Sequence, residues 1–265
     1  AQFVSGQVFD EDLGLLGIGT QYGTRVPGLS FQFGGFDIAL LQPVTDASSR
    51  VVSVDSDTGV ATTAPTGGDV DSYFPKIEAK WGMGFDSWNF NLQGGFQYYS
   101  IQDVVSVDPN NLGDKNDIDV TSYTIGADAG FNFGPGYVKA ALSYGQNWAQ
   151  AAWGLDSFNN DGSPAVWDGN DDVDDTKSFH GALVAGLKMS DMLSFEGGFG
   201  YRQDDPDVSG SDKGKVWATY VQSVVVMAPG VYIVPEVGYY DFEDNFGGKD
   251  QGNQFYLGSK FQIDF

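Results

Sequence analysis

The sequence predicts an all-β fold, a transmembrane antiparallel up-and-down β-barrel, on three observations. Apolar and polar residues alternate with a period of two in segments that come in pairs, each pair joined by a very short turn. Long polar stretches separate the pairs, so short and long connections alternate strictly along the chain, as in a meander that crosses a membrane and returns. The segment 255–265, FYLGSKFQIDF, places Phe255, Leu257, Phe261, Ile263 and Phe265 on one face and Gln254, Lys260, Gln262 and Asp264 on the other.

Taken in order, the first pair is 29–33 and 36–41 around Gly34-Gly35, and the second is 73–85 and 88–101 around Asp86-Ser87. The third is 121–133 and 137–148 around Gly134-Pro135-Gly136, the fourth 178–189 and 193–202 at Ser190-Asp191, and the fifth 217–227 and 231–242 across Ala228-Pro229-Gly230. Each turn carries residues that tolerate tight backbone geometry. The intervening segments, 44–72, 103–119, 149–176, 203–214 and 243–252, are rich in Asp, Asn, Gly and Ser and read as loops. Most strands are long enough for the 9 to 11 residues of a tilted membrane crossing.

Parity assigns the faces. In 73–85, Ile77, Ala79, Trp81, Met83 and Phe85 point to lipid, with Lys76, Glu78, Lys80, Gly82 and Gly84 toward the lumen. In 88–101, Trp88, Phe90, Leu92, Phe96 and Tyr98 face lipid, opposite Asn89, Asn91, Gln93 and Gln97. Phe85, Trp88, Phe133, Tyr137 and Trp148, near strand ends, are expected in the aromatic girdles of such a barrel. Only Val224, Val225 and Val226 blur the parity.

Composition agrees. Aromatics at 15%, 37 glycines and a slightly negative mean hydropathy suit strands that show lipid every second residue. No stretch approaches the ~20 apolar residues of a spanning helix. With 36 acidic and 13 basic residues the net charge is −23, which excludes nucleic acid as a partner. The lack of cysteine excludes disulfides and thiolate chemistry. The start at Ala1-Gln2, without initiator Met or leader, fits a mature form after signal removal or a fragment.

An aromatic end to a strand of this pattern, together with the alternating connections, resembles the Gram-negative bacterial outer-membrane general porins. In that family the closing strand and its terminal Phe are read by the assembly machinery. At the start of the chain, a strand at 2–9 is followed by Asp10-Glu11-Asp12, LGLLGIGTQYG and Thr24-Arg25-Val26-Pro27-Gly28, which read as a longer loop. The resemblance implies that residues 10–25 are an inward-folded constriction loop. Phe3-Val4-Ser5-Gly6-Gln7 would be the strand entering it, and Arg25 a basic wall residue.

One strand at 2–9, ten in the hairpins and the closing strand make twelve in one domain, 1–265. The resemblance places the first of them fifth, so sixteen follows if an amino-terminal part is missing. It further implies passive diffusion of small hydrophilic solutes or ions, contact with membrane lipid and lipopolysaccharide, homotrimers, a periplasmic C-terminus and extracellular acidic loops. Two alternatives stay open. One is a non-conducting structural barrel acting as anchor, adhesion surface or scaffold for a partner; the other is a soluble acidic β-sandwich that binds carbohydrate or calcium.

For the pore, the expected constriction is Asp10, Glu11 and Asp12 on the loop against Arg25, Lys76 and Lys80 on the wall, opposed signs that set up a transverse field; an exposed acidic turn at Asp10 to Asp12, and pairing of Lys76 and Lys80 with Glu78 and other lumen carboxylates, stay open as alternatives. Lumen parity adds Glu78, Lys139, His180, Lys188, Glu196, Glu236 and Lys260 as pore lining, with His180 set beside Lys188. The acidic run could supply Asp168, Asp171, Asp172 and Asp174 as oxygen ligands for Ca²⁺ in an extracellular loop, although the closing Glu of an EF-hand is absent and such a run is usually just a solvated face. No other cofactor is expected. His180 is the only histidine and no G-x-S-x-G elbow accompanies it, so no catalytic residues and no enzyme activity are expected.

Overall fold

The computed structural model describes residues 18–19, 26–45, 51–54, 61–63, 69–153 and 164–264. Its strands are β1 (Gly28–Phe33), β2 (Phe36–Leu41), β3 (Val51–Val54), β4 (Ala61–Thr63), β5 (Val70–Asp71), β6 (Lys76–Gly84), β7 (Trp88–Val105) and β8 (Lys115–Phe133). They continue with β9 (Gly136–Gln146), β10 (Val166–Trp167), β11 (Val173–Asp174), β12 (Thr176–Ser190), β13 (Leu193–Pro206), β14 (Gly214–Ala228), β15 (Val231–Asp241) and β16 (Asn253–Ile263).

The main sheet has twelve strands in an order that follows the chain, β1-β2-β6-β7-β8-β9-β12-β13-β14-β15-β16, with β5 set against β7. Neighbours are antiparallel throughout. All five predicted hairpins and the closing strand are present. The predicted strand at 2–9 lies outside the described residues, and the twelfth strand is instead β5. It pairs Val70 with Ile101, whereas β6 pairs from Ile77 opposite Phe96, so β5 resumes the row of β6 beyond a break. Pro75, which has no N–H to give the ladder, stands in that break.

Two loops are more ordered than expected. The stretch 103–119 shrinks to 106–114 because β7 and β8 run on for 18 and 19 residues. Their inward side chains Val104, Ile118 and Val120 pack on Ala165 and Trp167, which holds the extended hairpin together. The loops after β2 and β9 also share a four-stranded sheet, β11-β10-β3-β4, in which Val166 pairs parallel with Val51. At the opposite end the turns are as short as predicted, and Gly34 (φ 61) and Gly134 (φ 58) supply the left-handed backbone they need.

The two faces invert a soluble protein. Buried side chains include Ser178, Glu196, Arg202, Asp204, Gln222 and Glu236, while Leu183, Phe195, Phe199 and Val221 are exposed on the same strands. A polar inside and an apolar outside fit a barrel in lipid and set aside the soluble sandwich. The parity assigned to β6 holds, with Lys76 and Glu78 buried and Ile77 outward. Around the valines, a register shift between Val226 and Ala228 accounts for the blurred pattern.

Aromatic belts mark the edges of the apolar band. Phe33 stacks on Phe36 (5.8 Å), Phe85 on Trp88 (4.3 Å) and Phe131 on Phe133 (6.0 Å) at the short-turn end. Phe199, Trp217 and Tyr239 form the other belt, with ring centroids 6.0 and 5.4 Å apart. Outward Tyr123 and Phe131 on β8 are about 27 Å apart along the strand at ~3.4 Å per residue, which tilt brings near the ~25 Å band of such barrels. Tyr137 and Trp148 belong to neither belt. Tyr137 has the inward parity of Lys139, and Trp148 is buried after Asn147, whose positive φ of 51 redirects the chain.

Candidate pore lining and inward-folded segments

The inner wall near the short turns is built on one register row: Tyr137, Gly186, Glu196, Gln222, Glu236 and Gly258 lie opposite one another across β9 and β12 to β16. Glu196 accepts hydrogen bonds from the Tyr137 hydroxyl, the Tyr220 hydroxyl (2.5 Å) and Gln222 Nε2 (2.7 Å). Tyr256 donates to Glu236 Oε1 at 2.7 Å. Each tyrosine lies over a cross-strand glycine. A Cβ on Gly186, Gly198 or Gly238 would collide with the ring of Tyr137, Tyr220 or Tyr256. Glycine on one strand thus lets a ring lie flat along the wall and reach a carboxylate, and the carboxylate is fixed by neutral donors.

Other charges stand apart from this row. Lys139 Nζ sits 5.0 Å from the centre of the Tyr137 ring. Asp128 accepts from Asn91 Nδ2 at 2.7 Å, and its Oδ2 is buried without a hydrogen-bond partner among the described residues. Asp128 and Lys139 line one cavity of about 400 Å³ with Asn89 and Asn132. Nearer the long loops, Arg202 Nε pairs with Asp204 Oδ2 at 2.6 Å and Ser178 Oγ donates to Asp204 Oδ1 at 2.5 Å. His180 is opposite Arg202 in register, with its ring edge-on to Trp148 at 4.5 Å.

Residues 147–153 run along the inside of the wall. Asn147 starts the excursion, its Nδ2 donating to Thr121 O and Asp175 Oδ1 and its Oδ1 accepting from Thr176 N, while Ser122 Oγ donates to its carbonyl. Trp148 lies over Gly145 and donates from Nε1 to Tyr123 O at 3.1 Å. Trp153 lies over Gly95 and donates to Glu78 Oε1 at 2.7 Å. Lys76 Nζ holds the carbonyl of Ala151 at 2.6 Å and Glu78 Oε1 at 2.9 Å, and is 4.7 Å from the Trp153 ring. Gln97 clamps two loops at once: Oε1 accepts from Val44 N at 2.9 Å, and Nε2 donates to Val44 O and Gln150 O, both at 2.8 Å.

The structure redistributes the predicted site residues. Asp10, Glu11, Asp12 and Arg25 lie outside the described residues. From the same stretch, Ile18 packs on Val216, Ala218, Tyr220 and Tyr240, and its carbonyl stands where a Cβ on Gly200 would go. Lys76 is fully buried and joined to Glu78 and the loop carbonyl, so it offers no charge to the lumen. Lys80 shares its inner row with Gln93 and is about 14 Å along the strand from Lys76 at ~3.4 Å per residue. Glu78, Lys139, His180, Glu196, Glu236 and Lys260 face inward as parity requires. His180 is not beside Lys188, which lies at the far end of β12 and pairs with Asp191 at 2.7 Å.

The acidic run forms a turn. Asp168 Oδ1 accepts from the backbone N–H of Asn170 and Asp172, and Asp172 Oδ1 from that of Val173. Among the described residues, Asp168, Asp171, Asp172 and Asp174 included, no group of three or more His, Asp or Glu converges as a metal would require. Burial, followed by the charges of Asp168 and Asp207, pushes the Asp174 carboxyl above its usual range. Burial does the same to Asp175, partly offset by the hydrogen bond from Asn147. Sequence reasoning put Gln97 on the lumen face but missed its clamp, set Trp148 in a girdle, and missed Trp153 and the tyrosine seats. The one available signal was the segment NWAQAAW, two tryptophans and three alanines amid polar loop residues.

No family model matches this chain. No curated protein matches it either. Solved structures do. The outer membrane channel DcaP of Acinetobacter baumannii aligns over 100% of this chain and 69% of its own, at TM-score 0.73 and 16% identity. OmpTdeltaL8, a loop-deletion mutant of OmpT, an outer membrane protein of Vibrio cholerae, aligns over 96% of this chain and 70% of its own, at TM-score 0.50 and 12% identity. At such identities the likeness is one of fold, and with the inverted faces and the belts it is specific: this chain has the outer-membrane porin-like β-barrel fold.

Proposed function

We propose that the protein is an outer-membrane channel giving passive diffusion of small hydrophilic solutes or ions through a polar lumen. The observation that carries this reading is the inner wall itself, where Lys80, Asp128, Lys139, Glu196, Glu236 and Lys260 project from six strands of the main sheet behind an apolar exterior. Opposed charges fixed across a water-filled lumen attract ions and polar solutes and disfavour apolar ones. On this reading the short turns are periplasmic, the acidic loops face outward, and lipid and lipopolysaccharide surround the apolar band. The resemblance to general porins supports a homotrimer, and no step of the reading calls for enzyme chemistry.

One feature favours a second reading. Residues 42–45 and 147–153 occupy the lumen side of β6 to β12, as a structural barrel built around an internal filling would require. Planar-bilayer recording of the refolded protein separates the two. Stepwise currents support the channel; a barrel that inserts, shows heat-modifiable gel migration and stays electrically silent supports the scaffold.

A further inference from the structure

We infer that Gln97 is a positioning residue that couples two outer loops into one body and thereby sets the open cross-section of the lumen. This rests on the channel reading above and specifies which part of the chain limits solute size.

The loop after β2 and the loop after β9 are far apart in sequence and have no covalent reason to move together. They are joined at two levels. In the lumen, Gln97 is almost fully buried, and its single carboxamide holds both the N–H and the carbonyl of Val44 and the carbonyl of Gln150. Farther from the short turns, the same two loops pair again as β3 and β10. Gln150 extends the connection, because its Oε1 accepts from Ala165 N at 2.8 Å. The carboxamide is suited to this task because it presents an acceptor and two donors in one plane.

Segment 147–153 is also pinned at both ends, by Trp148 over Gly145 and Trp153 over Gly95. Between these seats, Lys76 holds Ala151 O. Trp148, Ala151 and Trp153 are all buried, so the segment is packed as wall lining and not as a free loop. Removing the Gln97 carboxamide leaves three backbone groups without their partner in a site with little access to water. The cheapest relief is for both loops to withdraw along the barrel axis, out of the lumen and into the solvent beyond its long-loop end. The lumen then widens on the β6 to β12 side.

The test uses Gln97→Leu, with Trp153→Ala as a variant confined to the loop, so that a folding defect in the first cannot leave the question undecided. Liposome swelling with sugars of increasing size and single-channel conductance are measured for each. Larger conductance, by about 1.5-fold or more, and a raised size cutoff in both variants are expected, with the double variant no wider than the wider single, since coupled sites do not add. Unchanged conductance and cutoff in either folded variant would overturn the inference. A readout independent of conduction comes from the absence of cysteine. Ala151→Cys should resist a maleimide in the parent background and react at least tenfold faster with Gln97→Leu added. A silent parent with this reactivity change rejects the channel but keeps the clamp, whereas conducting parents with equal labelling reject the clamp alone.

Discussion

At the scale of single residues, parity predicted which side chains face inward but not which of them meet. Lys76 and Glu78 illustrate the difference. Alternation put both in the lumen within reach of each other, and they do form a 2.9 Å pair, but nothing local showed that Trp153 and Ala151 from a distant loop would close over it. Taking one partner from such a pair leaves a charge in a site that water does not reach. Lys76→Met should therefore cost about 3 kcal/mol, at the lower end of values for buried pairs because the site borders a lumen. Glu78→Gln should cost less, since glutamine keeps an acceptor for Trp153 Nε1 and Lys76 keeps the Ala151 carbonyl. Urea unfolding of both variants in detergent measures the ranking, and a Glu78→Gln barrel weaker than Lys76→Met would show that the pair does not hold the segment. Partners separated by some seventy residues are set by the loop's path, which no local pattern encodes.

Elements show where periodicity is enough and where it stops. The hairpins were legible because every second residue of a strand in lipid must be apolar, so the pattern is imposed at each position. Loop structure carries no such constraint, and the second small sheet, the wall break at Pro75 and the extension of β7 and β8 were all missed. Inner-wall glycines were visible as letters only. In the structure, Gly186, Gly198 and Gly238 are seats for tyrosines, whereas a Cβ on Gly84 would meet nothing within 4 Å. Alanine at any of the three seats should lower stability by about 1 to 3 kcal/mol through displacement of the ring. Gly84→Ala serves as the near-neutral comparison in the same unfolding assay, and equal effects at all four positions would reject the seat. The end of β11 in the loop after β9 gives a pH test. Asp174 and Asp175 titrate above the usual carboxylate value of 3.8 when folded, so their charged forms oppose the folded loop. The stabilisation is complete below that usual value and is lost as pH rises through the raised one. Hydrogen exchange over residues 164–175 should accordingly be slower in mild acid than at neutral pH once corrected for intrinsic rates. Asp174→Asn should flatten the dependence.

For the whole molecule, the net charge of −23 is distributed unevenly, and the distribution makes a functional argument. Inner-wall carboxylates such as Glu196 and Glu236 have tyrosine donors, and Asp204 has Arg202. Much of the excess lies instead on the loops, including Asp168, Asp171, Asp172, Asp207, Asp212, Asp244 and Asp250, where it is exposed to salt, with Asp174 half-buried beside them. Two origins of ion preference can then be told apart by screening. Charges at an open mouth act over about 10 Å at 0.1 M salt and about 3 Å at 1 M, whereas charges within a narrow lumen are screened much less. If the loops dominate, reversal potentials under a KCl gradient should show cation preference at low salt that decays toward parity as both baths are concentrated. Replacing Asp168, Asp171, Asp172 and Asp174 together by asparagine should reduce that preference at low salt and leave high-salt conductance unchanged. A preference independent of salt and of these four substitutions would assign selectivity to Lys80, Asp128 and Lys139 on the inner wall. The acidic loops would then serve only to keep the outer surface hydrated.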